Sequence, residues 1–152
     1  MKGFWYGVAA TVGTAYVIGT VVMNFGFVDV AASTPHSAVV TELMHSTAHN
    51  AIGRAADDIE VPDLTTVDRE TGQRIYRTEC GVCHTGPGLP ESRFGKGLNP
   101  PAPELTRIGE HWGPAELFWI VKHGIRMTGM PSFGARLSDE EIWATVRVLS
   151  FQ

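Results

Sequence analysis

The stretch Glu79-Cys80-Gly81-Val82-Cys83-His84 holds the two cysteines of a 152-residue chain, and a histidine follows the second at once. Three chemistries use a cysteine pair at this spacing. A redox dithiol sits after a strand in a thioredoxin-like unit, whereas the residues upstream, TVDRETGQRIYRT, read as a helix. A zinc site needs four ligands and would draw on a second cysteine pair, which the chain lacks. The third chemistry is covalent haem attachment, whose signature is C-x-x-C-H. Each thiol adds to one haem vinyl group, and the short turn between the thiols matches the vinyl separation along one porphyrin edge. The next residue is then directed at the iron. On this reading Cys80 and Cys83 hold one haem c, and His84 is its first axial ligand.

A second axial ligand must come from elsewhere. The candidates are Met127, Met130, His111, His123 and the upstream histidines. Pro131 pushes Met130 towards an extended backbone, and Gly129, Pro131 and Gly134 keep this segment a loop, able to present a sulfur across the porphyrin. Met130 is therefore favoured over Met127 and over any histidine; packing in a core is the competing role for either methionine. With both axial positions filled the iron exchanges electrons and little else, and a thioether ligand raises its potential. Phe94, Leu98, Leu105, Trp112, Phe118 and Phe133 are expected to form the apolar shell. Arg93, Lys96, Lys122, Arg126 and Arg136 flank these loops, either as a basic rim for an acidic partner or as scattered surface charge.

From Thr65 to Gln152 the chain resembles the class I c-type cytochromes. The resemblance rests on Gly72-x-x-x-Tyr76-x-x-x-Cys80-x-x-Cys83-His84, on the Met130-Pro131 loop and on the final SDEEIWATVRVL. It implies a small all-α cytochrome c fold wrapped around one covalent haem, with the first and last helices crossing. In that pattern the crossing falls at Gly72, with Trp143 packed there, and a proline carbonyl, Pro100 or Pro101, accepts the His84 ring N–H. The family moves single electrons between larger complexes, and many relatives carry an N-terminal membrane anchor.

The elements that position these residues are legible independently. The first helix of this region runs from about Val67 or Asp68 to Cys80. Pro114 opens a middle helix, PAELFWIVKH, which Gly124 stops. Ser138 and Glu141 form a capping box for a last helix that buries Ile142, Trp143, Val146 and Leu149. GLNPPAPEL has no regular pattern and reads as a loop on the His84 side.

Upstream, no charged residue occurs from Gly3 to Val28. This run is longer than the apolar region of a cleaved signal and long enough to cross a bilayer, although Ala31-Ala32-Ser33 offers a cleavage site. Phe4, Trp5, Tyr6, Phe25 and Phe27 bracket it, as at membrane interfaces. Lys2 before the run and Asp29 after it place the N-terminus inside. Gly3, Gly7, Thr11, Ala15 and Gly19 form a small-residue stripe suited to packing on a partner helix. Next, Thr34 and Pro35 can open a helix bearing Val39, Val40, Leu43, Met44, Ala48 and Ile52, with Gly53 as its stop. Its apolar stripe would lie on the membrane surface or against a partner. His45 and His49 share one helix face without a third metal ligand nearby, and solvent-facing histidines are the favoured reading.

The net charge of −4 is mild and gives no nucleic-acid footprint. Acidic and basic residues balance from Thr65 onward. The deficit lies in Asp29, Glu42, Asp57, Asp58, Glu60 and Asp63. Three regions follow: a transmembrane anchor at 1–30, an acidic connector with a short amphipathic helix at 31–64, and a cytochrome c domain at 65–152. The expected protein is a mono-haem electron carrier on the bacterial cytoplasmic membrane, its haem domain periplasmic. It serves partners such as a quinol-oxidising complex and a terminal oxidase, as a fixed subunit or a tethered shuttle. A haem enzyme or gas sensor with an open axial site is the competing class, as is a structural subunit with a vestigial haem.

Overall fold

The structure, a computed structural model, describes residues 2–86 and 89–151. Met1 and Gln152, the outer limits placed on the anchor and the last domain, lie outside the described residues, as do Pro87 and Gly88. Among the described residues there are helices and no strands. The elements are α1 (Lys2–Phe25), α2 (Ala38–Ala56), α3 (Arg69–Ile75) running directly into one π turn (Tyr76–Cys80), α4 (Arg93–Lys96), a 3-10 turn (Ile108–Glu110), α5 (Pro114–His123) and α6 (Asp139–Ser150). They form two compact units, residues 1–34 and residues 35–152.

The first unit is dominated by α1, whose 24 residues span about 36 Å at 1.5 Å per residue. That exceeds the roughly 30 Å of bilayer hydrocarbon. Its polar side chains turn back onto the helix: Thr11 Oγ1 donates to the Gly7 carbonyl (3.0 Å), Thr20 Oγ1 to Tyr16 (2.5 Å) and Asn24 Nδ2 to Thr20 (2.8 Å). Internal satisfaction of this kind is what lets such residues sit in an apolar span. The space beside Gly3, Gly7 and Gly19 is open.

In the second unit, α2 departs from expectation at both ends. Ser37, not Thr34, caps it, its Oγ accepting the Val40 N–H (3.4 Å). Gly53 does not stop it. A helical glycine costs about 1 kcal/mol, but Ile52 and Ala56 on either side are buried where α2 packs on α5. Burial of an apolar face decides the helix length here. His49 also stacks on Trp112, with ring centroids 4.6 Å apart.

The core forms where α3 crosses α6. Ile142 and Val146 have no exposure, and Tyr76, Leu117, Phe118, Val121 and Leu149 pack in one cluster with them. A Cβ on Gly72 would lie 2.0 Å from the Ala144 carbonyl oxygen and 3.0 Å from Val148 Cγ2. The α6 backbone itself thus fills the approach. Trp143, the neighbour of Ala144, stacks its indole on Phe118 of α5, at 4.3 Å. Arg147 of α6 donates to the Val67 carbonyl, tying the segment before α3 to the last helix. Asp68 caps α3 by accepting the Glu70 N–H (2.9 Å). The capping box of Ser138 and Glu141 and the Pro114–His123 limits of α5 stand as read from sequence.

Candidate functional site

The cysteine turn begins where α3 loosens. Gly81 N–H donates to the Tyr76 carbonyl (2.8 Å), five residues back, so the last turn is wider than an α turn. The chain then closes on Cys80, whose carbonyl accepts from Cys83 (3.1 Å) and His84 (2.8 Å). One short turn thus carries both thiols and the imidazole. Neither cysteine is in a disulfide. Burial, then the charges of Glu79 and Cys83, push the Cys80 thiol up to about 12. That is opposite to the lowered value an attacking redox thiol needs.

Two segments brace this turn. Ser92 donates through Oγ to the Val82 carbonyl (2.5 Å) and caps α4 by accepting the Gly95 N–H (3.0 Å). Gly95 presses on the turn so closely that a Cβ would lie 1.9 Å from the Cys83 carbonyl oxygen. The Gly95 carbonyl then accepts from Ala102 (3.0 Å), while Leu105 N–H donates to Thr85 (3.0 Å). These bonds lay the proline-rich loop along the histidine. Pro103 carries the carbonyl that meets His84 Nδ1, at 2.8 Å. The expectation of Pro100 or Pro101 is therefore corrected: the bonds at Ala102 and Leu105 set the loop register two or three residues later. A carbonyl can only accept, so Nδ1 is the protonated nitrogen and Nε2 keeps its lone pair for a metal.

Met130 lies in the loop after α5, which is laid back along that helix. Ser132 Oγ donates to the Lys122 carbonyl (2.7 Å), Phe133 N–H to Val121 (3.2 Å) and Gly134 N–H to Lys122 (2.9 Å). At the bend, Gly124 has φ +67, and a Cβ there would sit 2.7 Å from the Met130 carbonyl oxygen; glycine is required. Met130 is half-buried against the same core cluster that Cys80 borders. Met127 has φ 61 and is 74% exposed. Between the two methionines, the one expected as ligand faces the core shared with the cysteine turn. Arg136, beyond the loop, pairs with Glu79 beside Cys80 (3.1 Å), a direct tie between the two candidate segments.

Of the expected apolar shell, Leu105, Phe118 and Phe133 are buried. Leu98 packs on Gly129. Phe94 is 74% exposed, and α4 turns Gly95 towards the cysteine turn. Of the flanking cations, Lys96 pairs with Glu91 (2.5 Å), Lys122 with Asp139 (2.7 Å) and Arg136 with Glu79, which diminishes a uniformly basic rim. His45 and His49 gain no ligand partner; the described residues contain no cluster of three metal-binding side chains.

Reading the sequence missed α4, Ser92 and Gly95. Ser92, three residues before Gly95, carries a helix-cap signal; the close approach of Gly95 to Cys83 has none. The residues present fit a covalently held haem. Two thiols share one turn, an imidazole is oriented through Nδ1, and a thioether borders the same core. The Tyr76 hydroxyl is buried beside Gly86 and has no hydrogen-bond partner among the described residues.

No curated protein and no solved structure matches this chain. The family described as "Cytochrome C oxidase, cbb3-type, subunit III" matches residues 67–147, a span that holds the cysteine turn, the Pro103 loop, Met130 and the α3–α6 crossing. Over that span the chain is a c-type cytochrome domain, an electron-transfer module that binds haem c, and the chain belongs to the family of cbb3-type cytochrome c oxidase subunit III.

Proposed function

We propose that the chain carries one haem c, attached through Cys80 and Cys83, with His84 and Met130 as its two axial ligands. When bound, the haem supplies one-electron exchange. The chain supplies the setting: the Pro103 carbonyl holds the His84 ring and raises its basicity. The loop strapped to α5 holds Met130. Leu105, Phe118 and Phe133 keep water from the site, and this apolar surround with a thioether ligand favours the reduced state. The observation that carries the reading is the bond from His84 Nδ1 to Pro103, made inside the C-x-x-C-H turn of a span matched to a cytochrome family.

On this reading residues 1–30 anchor the chain, residues 31–64 lead from the anchor into the second unit through α2 packed on α5, and residues 65–152 form the cytochrome domain. The domain faces the periplasm of a bacterial cytoplasmic membrane, where haem is attached to such motifs. The protein serves as an electron port of a larger oxidase. The family description and the small-residue stripe of α1, Gly3, Gly7, Thr11, Ala15 and Gly19, favour a fixed subunit over a tethered shuttle. Gentle extraction from native membranes tests this. A particle with stoichiometric oxidase subunits and a chain mass raised by one haem supports the assignment. A lone anchored cytochrome refutes the fixed-subunit role, and a chain mass without haem refutes the attachment.

A further inference from the structure

Around Met130 the backbone closes on itself through one side chain. Thr128 Oγ1 donates to the Ile125 carbonyl (2.7 Å) and accepts the Met130 N–H (3.1 Å). From the other side, Ile125 N–H donates to the Met130 carbonyl (3.4 Å), and Thr128 N–H donates to Ile125 (3.3 Å). Both backbone polar groups of Met130 are therefore bound within the loop, and the hydroxyl of Thr128 is the link that joins its two ends. Thr128 is half-buried, and its neighbour Gly129 is wedged against Leu98, where a Cβ would lie 2.6 Å from Leu98 Cδ2. The residue before Thr128, Met127, adopts φ 61, a conformation that a long side chain rarely takes. The loop is thus held in an unusual backbone path, and the Thr128 hydroxyl is placed to hold it.

We propose that Thr128 is a positioning residue for the axial thioether: its hydroxyl fixes the Met130 backbone so that the sulfur stays committed to one place. The inference rests on Met130 being a ligand. Without the hydroxyl, the Met130 N–H loses its partner and the Ile125 carbonyl loses one donor, while a side chain of the same shape leaves the packing in place. Loss of one hydrogen bond changes a local equilibrium by up to about tenfold. The equilibrium at stake is release of the thioether from ferric iron. As pH rises, release is coupled to loss of one proton from the group that replaces the thioether, so a tenfold change in favour of release lowers the midpoint by about one pH unit.

The test uses the full-length haem-loaded protein, its T128V and T128S variants, and the weak red charge-transfer band of a thioether bound to ferric iron, followed against pH. The expected result is a band in all three at neutral pH, lost at a midpoint about one unit lower in T128V, with T128S close to the unmodified protein. Equal midpoints in T128V and the unmodified protein overturn the role of Thr128 while leaving Met130 as ligand. A lowered midpoint in both variants overturns the hydroxyl as the cause. No band in the unmodified protein overturns the ligand assignment, and this inference with it. Soret absorbance and thermal melting at neutral pH, measured alongside, identify a variant that has merely unfolded; in that event T128A, the smaller truncation, is read against T128S by the same band.

Discussion

His84 Nδ1 stands 2.8 Å from the carbonyl oxygen of Pro103, nineteen residues along the chain. This bond decides which imidazole nitrogen is available, and it depends on a loop held by one glycine. Gly95 touches the Cys83 carbonyl with no room for a Cβ and accepts from Ala102 at the start of the Pro103 segment. Gly95→Ala forces α4 away from the cysteine turn or the loop away from α4. Overpacking of this kind costs about 1–3 kcal/mol. Guanidinium unfolding of the holoprotein should show a lower midpoint with an unchanged slope, and covalent haem yield should fall. An unchanged midpoint would show that the contact yields without strain.

Asp68 gives a pH dependence. The Thr71 hydroxyl first, then the backbone N–H groups of Glu70 and Thr71, hold its carboxyl below the ordinary 3.8. A lowered folded value contributes stability above the unfolded value, and that stability is lost as pH falls through the folded one. Asp68→Asn still caps the helix but cannot titrate. The melting-temperature difference between the native protein and D68N should be constant above about pH 5 and should shrink below about pH 4. A difference that stays flat to lower pH would remove the carboxylate from the account.

Trp112 bears on α2. Its ring stacks on His49, and aromatic pairs of this sort contribute about 0.5–1.5 kcal/mol. Trp112→Ala should raise amide exchange across the C-terminal half of α2 by about two- to tenfold and leave the haem absorption spectrum unchanged. A shifted spectrum would return Trp112 to the apolar shell around the cofactor.

Much of this was legible in the chain because the signals are local. Pro114 and Gly124 bound α5, Ser138 and Glu141 cap α6, and Asp68 starts α3, each through backbone requirements that one residue type meets. The C-x-x-C-H turn is likewise local. What escaped was set by distant packing. Gly53 reads as a helix stop, yet burial of Ile52 and Ala56 carries α2 through it. Gly72 is legible as a crossing point, but the sequence does not show that the atom it meets first is the backbone carbonyl at Ala144. The choice of Pro103 over Pro100 or Pro101 turns on two loop hydrogen bonds without a sequence signature. Thr128 looks like an ordinary loop residue until its hydroxyl is seen between Ile125 and Met130.

The central claim is a closed iron site that passes electrons and binds no small ligand. Carbon monoxide added to the anaerobically reduced full-length protein tests it most directly. With His84 and Met130 both bound, the spectrum should stay unchanged at neutral pH, and Met130→Ala should bind carbon monoxide rapidly and stoichiometrically. Rapid stoichiometric binding by the unmodified protein would contradict the account and make this a haem centre open to ligands.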